Sequence, residues 1–569
     1  MLIKMNGISF ETDKEMTILQ VSQAMNINIP TLCYHPDLSV RANCRVCLVE
    51  VEGMKQLQTA CNTHIHEGMV IETNNERVRQ ARKTIVEMIL ANHDSNCTTC
   101  HSNGKCELQG LTEILNIRHN PYDNVLESEP IMKGNPSIVR DMNKCIKCGR
   151  CIEVCNEVQK VGAIYNIGRG KDMRMGPAYD YDLSQVQCTY CGQCINVCPV
   201  GAIYEQDDVK EVLACLESDK QVIVQVAPSI RVSLGECFGM TPGTLVTGKI
   251  PAVLRKIGFD KVFDTNFTAD LTILEEGTEF LSRLNNNGVL PMLTSCSPGW
   301  INYIEQFYPE LLDHLSTCKS PQQMFGALAK TYYAEKINVE PEDMVVVSIM
   351  PCTAKKYEAK RPEMSRNGVA DVDYVLTTRE LARLIKVMGY DLDVADEAFD
   401  APFGITSGAG LIFGASGGVM EAALRSVYEI VTGEELLNLD FHDVRGLTGI
   451  KEAVVTVGQI DVKIAVSNSL VNARQLLDKI KSGQADYHFI EVMCCPGGCI
   501  GGGGQPRPTT NIVKLKRMEG IYAGDRNMAL RKSHNNPAVK ALYDEFLIEA
   551  NGQISHQLLH THYTDRQPK

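Results

Sequence analysis

Eight cysteines repeat one spacing: Cys145, Cys148, Cys151 and Cys155, then Cys188, Cys191, Cys194 and Cys198 with Pro199 directly after. Each run reads C-x2-C-x2-C-x3-C, a spacing that wraps thiolates around an iron-sulfur cubane while the fourth cysteine crosses to the other cluster. Cys145, Cys148, Cys151 and Cys198 are therefore expected to hold one 4Fe-4S cluster, and Cys188, Cys191, Cys194 and Cys155 a second. Duplicated zinc knuckles are the competing account.

Two further donor sets lie upstream. Cys33, Cys44, Cys47 and Cys61 are separated by ten, two and thirteen residues. Such a foursome suits a 2Fe-2S cluster, three ligands coming from one loop and the fourth from farther along, with structural zinc as the alternative. His93, Cys97, Cys100 and Cys106 follow the helical stretch VRQARKTIVEMILANH. Imidazole and thiolates bind either iron or zinc; between two iron-sulfur stretches, a 4Fe-4S cluster with one His ligand is the expected occupant.

The elements that must position these ligands are short. LIKMNGISFE, VCLVEVEG and MVIETN alternate as strands over residues 1–80, and Met1 to Phe10 reads directly as a strand rather than an apolar leader. Fifteen of the 23 cysteines precede residue 200, and 56 Lys plus Arg against 69 Asp plus Glu give a formal charge of -13. Clustered thiols in a long chain point to metal ligation in a reducing cytoplasm rather than to disulfides. The acidic balance argues against nucleic acid, and the lack of an 18-residue apolar run against a membrane span. After residue 208 strand-like runs alternate with helical stretches such as SPQQMFGALAKTYYAEK and TTRELARLIKVMG, the pattern of an α/β domain whose ligands gather where strands end.

Three loops after such strands, TSCSPGW (294–300), MPCTAKKYE (350–358) and EVMCCPGGCIGGGGQP (491–506), resemble the active-site signatures of the iron-only (FeFe) hydrogenases. The resemblance spans nearly the whole chain and is to the long, multi-cluster clostridial form. It implies a multidomain α+β and α/β architecture: N-terminal ferredoxin-like iron-sulfur domains, then a two-lobed α/β hydrogenase catalytic domain. The expected divisions are a 2Fe-2S plant-ferredoxin-like domain at 1–80, a 4Fe-4S domain with one histidine and three cysteine ligands at 81–125 and a two-cluster domain at 138–208. A catalytic domain at 209–515 and a small-subunit-like segment at 516–569 follow.

The reaction implied is reversible reduction of two protons to hydrogen, at a 4Fe-4S cluster joined through one cysteine to a two-iron unit carrying carbonyl, cyanide and a dithiolate. By resemblance, Cys352, Cys495 and Cys499 ligate that cluster, Cys499 being shared with the two-iron unit. Pro228, Ser229, Gln322 and Lys355 supply contacts to the two-iron unit, and Met350 and Met493 apolar packing. The proton path maps onto Cys296, Glu279, Ser316 and Glu276, the two glutamates three apart in EEGTE and so on one helix face. Implied partners are ferredoxin or flavodoxin, maturation factors, and, if the chain is the catalytic subunit of a larger NAD/ferredoxin-linked complex, flavin- and NAD-binding subunits. An electron-transfer subunit like that of respiratory complex I is the non-catalytic alternative, and a hydrogen sensor a further one.

Two positions depart from the family. Where it carries two adjacent cysteines, relay then ligand, this chain has Cys296 and Ser297; either Ser297 ligates or Cys296 does. Cys494 stands where the family more often has a small residue, so it is either a buried small hydrophobe or a compensating thiol. Cys215, Cys237 and Cys318 match no ligand pattern. The glycines of SGAGLIFGASGGVMEAALR lack dinucleotide spacing and are expected to pack closely around the active cluster.

Overall fold

The computed structural model describes residues 1–458 and 460–567. It divides into two compact units: residues 1–156, 162–186 and 197–204 form the first, and 157–161, 187–196 and 205–569 the second.

In the first unit Met1 to Phe10 is not one strand but the start of a hairpin. Asn6 and Gly7 both take positive φ, the two-residue turn that suits the twist of paired strands, and Met5 pairs with Ile8 across it. The resulting five-stranded sheet runs in the order Ile8–Glu11, Leu2–Met5, Val70–Glu72, Leu48–Val51, Gln58–Thr59. Alternation puts Ile3, Met5, Val49, Val51 and Ile71 into one core, against the helix Ile18–Ala24. The helix Glu76–Leu90 starts at Asn75, whose side chain accepts from the Val78 amide, and its Arg82 donates to the Leu48 carbonyl at 2.6 Å. The helix is thereby tied to the sheet and delivers His93 three residues beyond its end.

The second unit has two lobes. One is a parallel sheet ordered Lys261–Asp264, Gln221–Val226, Met344–Met350, Tyr374–Thr377. Its middle strands, QVIVQV and MVVVSIM, are almost wholly buried, as continuous apolar runs covered on both faces must be. The other sheet runs Met292–Leu293, Phe489–Met493, Ile460–Asn468, Ile450–Val457, parallel except for the last pair. It packs with the helices Asn266–Asn285 and Gly418–Thr432 around Ile464, Val466, Phe489 and Met420. Four strands end one to three residues before Pro228, Cys296, Cys352 and Cys494, so both lobes aim their loops at one pocket.

The glycine-rich stretch packs closely, in part against the loop that carries the pocket cysteines: the Ile500 amide donates to the Gly414 carbonyl and the Ser416 amide to the Gly497 carbonyl, both at 3.0 Å. A Cβ on Gly410 would lie 2.5 Å from the Asn266 carbonyl, so the glycine lets the helix Gly408–Ile412 lie against the long helix. In this stretch Gly414 comes within van der Waals range of Ser229.

The helix Asn511–Asn527 is held by a buried ion-pair cluster. Arg425 donates to both Asp525 oxygens at 2.9 Å and to Glu421 at 2.6 Å, all three side chains being fully buried. Removing one partner would strand buried charge. Arg425→Ala is expected to destabilise this unit by about 3–5 kcal/mol, seen as a lower denaturation midpoint. An unchanged midpoint would show that the cluster carries no net stability.

Candidate active site

The convergent loops enclose a cavity of about 80 Å³ lined by Pro228, Gln322, Met350, Cys352, Lys355, Met493, Cys494, Cys495 and Cys499, with Cys296 and Ser297 at one wall. Ser229 stands just behind, fully buried, and accepts from Gln505 Nε2 at 3.2 Å. Gln505 also donates to the Cys499 carbonyl at 3.0 Å, tying the strand-end turn at Pro228 to the Cys499 loop. Gly502 takes part in this closure: a Cβ there would sit 2.2 Å from the Pro351 carbonyl.

One carboxylate organises the polar side. Glu358 Oε2 accepts from Lys355 Nζ at 2.8 Å, from Gln322 Nε2 at 3.0 Å and from Ser320 Oγ at 3.0 Å. Lys355 Nζ reaches on to the Cys296 carbonyl at 3.2 Å. Gln322 Oε1 is buried without a hydrogen-bond partner. Burial pushes the Cys499 thiol up to about 12 and the Cys352 thiol higher still, with repulsion from Cys495 second. Bare thiolates are thus disfavoured in so dry a place, whereas soft cationic iron would satisfy three of them; the donor set fits an iron-sulfur cluster. Among the described residues no helix is long and apolar enough to cross a membrane.

The proton-path residues are brought together in a definite order. Glu276 is the inner carboxyl: it is the first charged neighbour of the buried Cys296 thiol and lies within hydrogen-bonding reach of Ser316. The Ser316 hydroxyl donates to Glu279 Oε2 at 3.0 Å, and Glu279 pairs with Arg283 at 2.6 Å near the surface. The resemblance runs from Cys296 to Glu279 before Glu276; the helix places the two the other way about. Thr317 and His560 extend the network from Glu279, through bonds of 3.0 and 2.8 Å, to Glu275.

Sequence reasoning missed Glu358, Gln505, Arg283 and His560. The i,i+3 spacing of Lys355 and Glu358 could have shown the first, the i,i+4 spacing of Glu279 and Arg283 the third, and Gln505 lies in the third signature itself; His560 reaches the site from a distant segment.

The accessory sets are brought together where they fall within one unit. The thiols of Cys33 and Cys44 hydrogen-bond each other, as do those of Cys47 and Cys61, giving two pairs. His93 is buried, its pKa lowered by desolvation; one ring nitrogen bonds the Lys144 backbone while Nδ1 has no partner, an orphaned donor atom that fits a metal ligand. Cys97, Cys100 and Cys106 are electrostatic neighbours. Cys145, Cys148, Cys151 and Cys198 line one small cavity, which puts Cys198 with the earlier run. Cys188, Cys191 and Cys194 lie in the second unit, and Cys155 in the first, its Sγ accepting from the Ala163 amide at 3.3 Å. Cys318 is a core residue, and Cys215 and Cys237 pack half-buried against the same core.

Burial raises the Glu276 carboxyl from 4.5 to about 8, with Glu279 repulsion second. A carboxyl raised on folding contributes stability fully below its unfolded value, and loses it as pH rises through its folded value. Stability of this unit should therefore fall between about pH 4.5 and about pH 8. Glu276→Gln should flatten that part of the denaturation profile; an unchanged slope would exclude Glu276 as its source.

Residues 220–503 match the family model for the iron only hydrogenase large subunit, C-terminal domain, and 511–566 that for the iron hydrogenase small subunit. Residues 2–76 match a 2Fe-2S iron-sulfur cluster binding domain, 82–121 the NADH-ubiquinone oxidoreductase-G iron-sulfur binding region, and 135–204 the ferredoxin-like domain of NADH-quinone oxidoreductase subunit 3. The NADP-reducing hydrogenase subunit HndD of Solidesulfovibrio fructosivorans is 50% identical over 99% of both chains. Iron hydrogenase 1 of Clostridium pasteurianum is 40% identical over 99% of both. The solved structure of the FeFe hydrogenase HydA1 from Chlamydomonas reinhardtii covers 64% of this chain and 100% of its own, with 42% identity and a TM-score of 0.58.

Proposed function

Because the chain belongs to the iron-only (FeFe) hydrogenases, with iron-sulfur domains ahead of the catalytic one, we propose that Cys352, Cys495 and Cys499 hold its active 4Fe-4S cluster and that Cys499 also binds the two-iron unit. When bound, that group supplies the iron at which protons and electrons combine to hydrogen and from which they separate again. The observation that carries this assignment is the convergence of the three thiols with Lys355 and Gln322 in one largely apolar cavity. Lys355, Pro228, Ser229 and Gln322 form the polar and backbone wall toward the two-iron unit, while Met350 and Met493 exclude water. Lys355 is positioned for an anionic ligand because Glu358 and the Cys296 carbonyl hold its ammonium at the pocket wall.

Cys296 hands protons to and from the pocket. Glu276, held protonated near neutral pH by burial, passes its proton through the Ser316 hydroxyl to Glu279, and Arg283 keeps that outer carboxylate in place. Each group can both give and accept, so the wire runs in either direction.

Electrons travel by separate ligands. The paired thiols Cys33/Cys44 and Cys47/Cys61 suit the two irons of one 2Fe-2S cluster. His93 with Cys97, Cys100 and Cys106, then Cys145, Cys148, Cys151 with Cys198, and Cys188, Cys191, Cys194 with Cys155, make three accessory 4Fe-4S clusters. The non-catalytic electron-transfer alternative gives no role to the pocket cysteines.

The physiological partner is ferredoxin or flavodoxin for a free-standing enzyme, or flavin- and NAD-binding subunits for a complex. The relative at 50% identity is named as a subunit of an NADP-reducing hydrogenase, which favours the complex. Copurification of flavin-containing chains is the expected result; full activity of the isolated chain with ferredoxin alone would overturn it.

Matured protein should give infrared bands of iron-bound carbonyl and cyanide, and Cys499→Ala should abolish both the bands and hydrogen evolution. Retention of either in the variant would sink the assignment. Glu276→Gln should keep the bands but slow hydrogen evolution about 10²- to 10⁴-fold, separating proton supply from the iron site.

A further inference from the structure

The pocket has three thiols of a cluster that takes four ligands, and the position that resembles the fourth is a serine. Ser297 Oγ is engaged: it accepts from the Cys494 amide at 3.2 Å, just ahead of the helix Pro298–Phe307. Cys296 lines the cavity too, but its thiol feels Glu276 ahead of Cys499, and it packs against the second lobe's core.

Cys494 is buried, and its Sγ hydrogen-bonds that of Cys495. It also lies over the first turn of the helix that Ser297 begins: a Cβ on Gly299 would come 2.8 Å from Cys494 Sγ. The sulfur thus occupies the angle between a cluster thiol and the position that lacks one, and it lines the same cavity. Residues 297 and 494 touch, so a thiol lost at one and gained at the other stays on the same wall.

We infer that Cys494, not Ser297 or Cys296, supplies the fourth thiolate of the active 4Fe-4S cluster. This rests on the assignment of Cys352, Cys495 and Cys499 to that cluster. Iron–sulfur clusters favour the soft, acidic thiol over the hard, weakly acidic hydroxyl. As the sulfur–iron bond forms, the S–H bond breaks and its proton leaves to solvent, with no change in electron count. Cys296 then remains free as a relay. The one competing claim on Cys494 is Cys191, whose thiol also hydrogen-bonds it and which is expected to ligate an accessory cluster.

The test uses the full chain carrying its iron-sulfur clusters, made without the factors that build the two-iron unit, with iron and sulfide counted and cluster signals followed by electron paramagnetic resonance. Cys352→Ala sets the loss that belongs to the active cluster, about four irons per chain. Cys494→Ala should show the same loss, and the Cys352→Ala/Cys494→Ala double variant no more than either. Ser297→Ala should keep the wild-type iron. Ser297→Cys/Cys494→Ala should regain it, which a merely misfolded Cys494→Ala could not do. Wild-type iron in Cys494→Ala, loss in Ser297→Ala or Cys296→Ala, or additive loss in the double variant would overturn the inference. Wild-type iron in Cys352→Ala would instead overturn the assignment on which it rests.

Discussion

The pocket is arranged around the ion pair between Lys355 and Glu358. A cavity that excludes water must place a cation where an anionic ligand will need it, and a lone buried ammonium would lose its proton or not fold. Glu358 compensates it at 2.8 Å, and its same oxygen also takes the Gln322 amide and the Ser320 hydroxyl. Three side chains from two segments are thereby fixed by one acceptor. The ammonium then reaches the Cys296 carbonyl, which links this wall to the signature loop from the other lobe. Loss of Glu358 would therefore disturb the Gln322 side of the pocket and the Cys296 loop together.

The pocket and the carboxyl network meet at Cys296. The carboxyls of Glu276 and Glu279 sit on one helix of the second lobe and are joined through Ser316. Burial keeps the inner carboxyl protonated, while hydrogen bonds and Arg283 support the outer one. One helix thus presents two identical side chains in different surroundings.

Much of this was legible in the sequence, for a physical reason: metal ligands on one loop must obey short spacings. The grouping of Cys145, Cys148, Cys151 with Cys198 follows from such a rule, as does the placing of Glu276 and Glu279 on one helix face. The valine-rich strands read correctly because burial on both faces leaves an unbroken apolar run. The first hairpin was missed because Asn6 and Gly7 are a two-residue signal inside an otherwise continuous strand pattern. Arg283 stands one helical turn from Glu279 and Gln505 within the third signature, so both were open to local reading; His560 was missed because it meets the site through folding at long range. The order of the two glutamates depended on which end of the helix faces the pocket, a fact of packing alone.

The segment matched as a small subunit, 511–566, belongs here to the same chain. Its Tyr563 hydroxyl donates to the Ser316 carbonyl, and His560 bonds Thr317 beside Glu279, so it covers the outer end of the Glu276–Ser316–Glu279 network. Covalent attachment turns that docking into an intramolecular event, with an effective concentration set by the chain itself. Dilution cannot strip this cover from the carboxyl network, as it could from an assembly of two chains; the contact is present at any protein concentration.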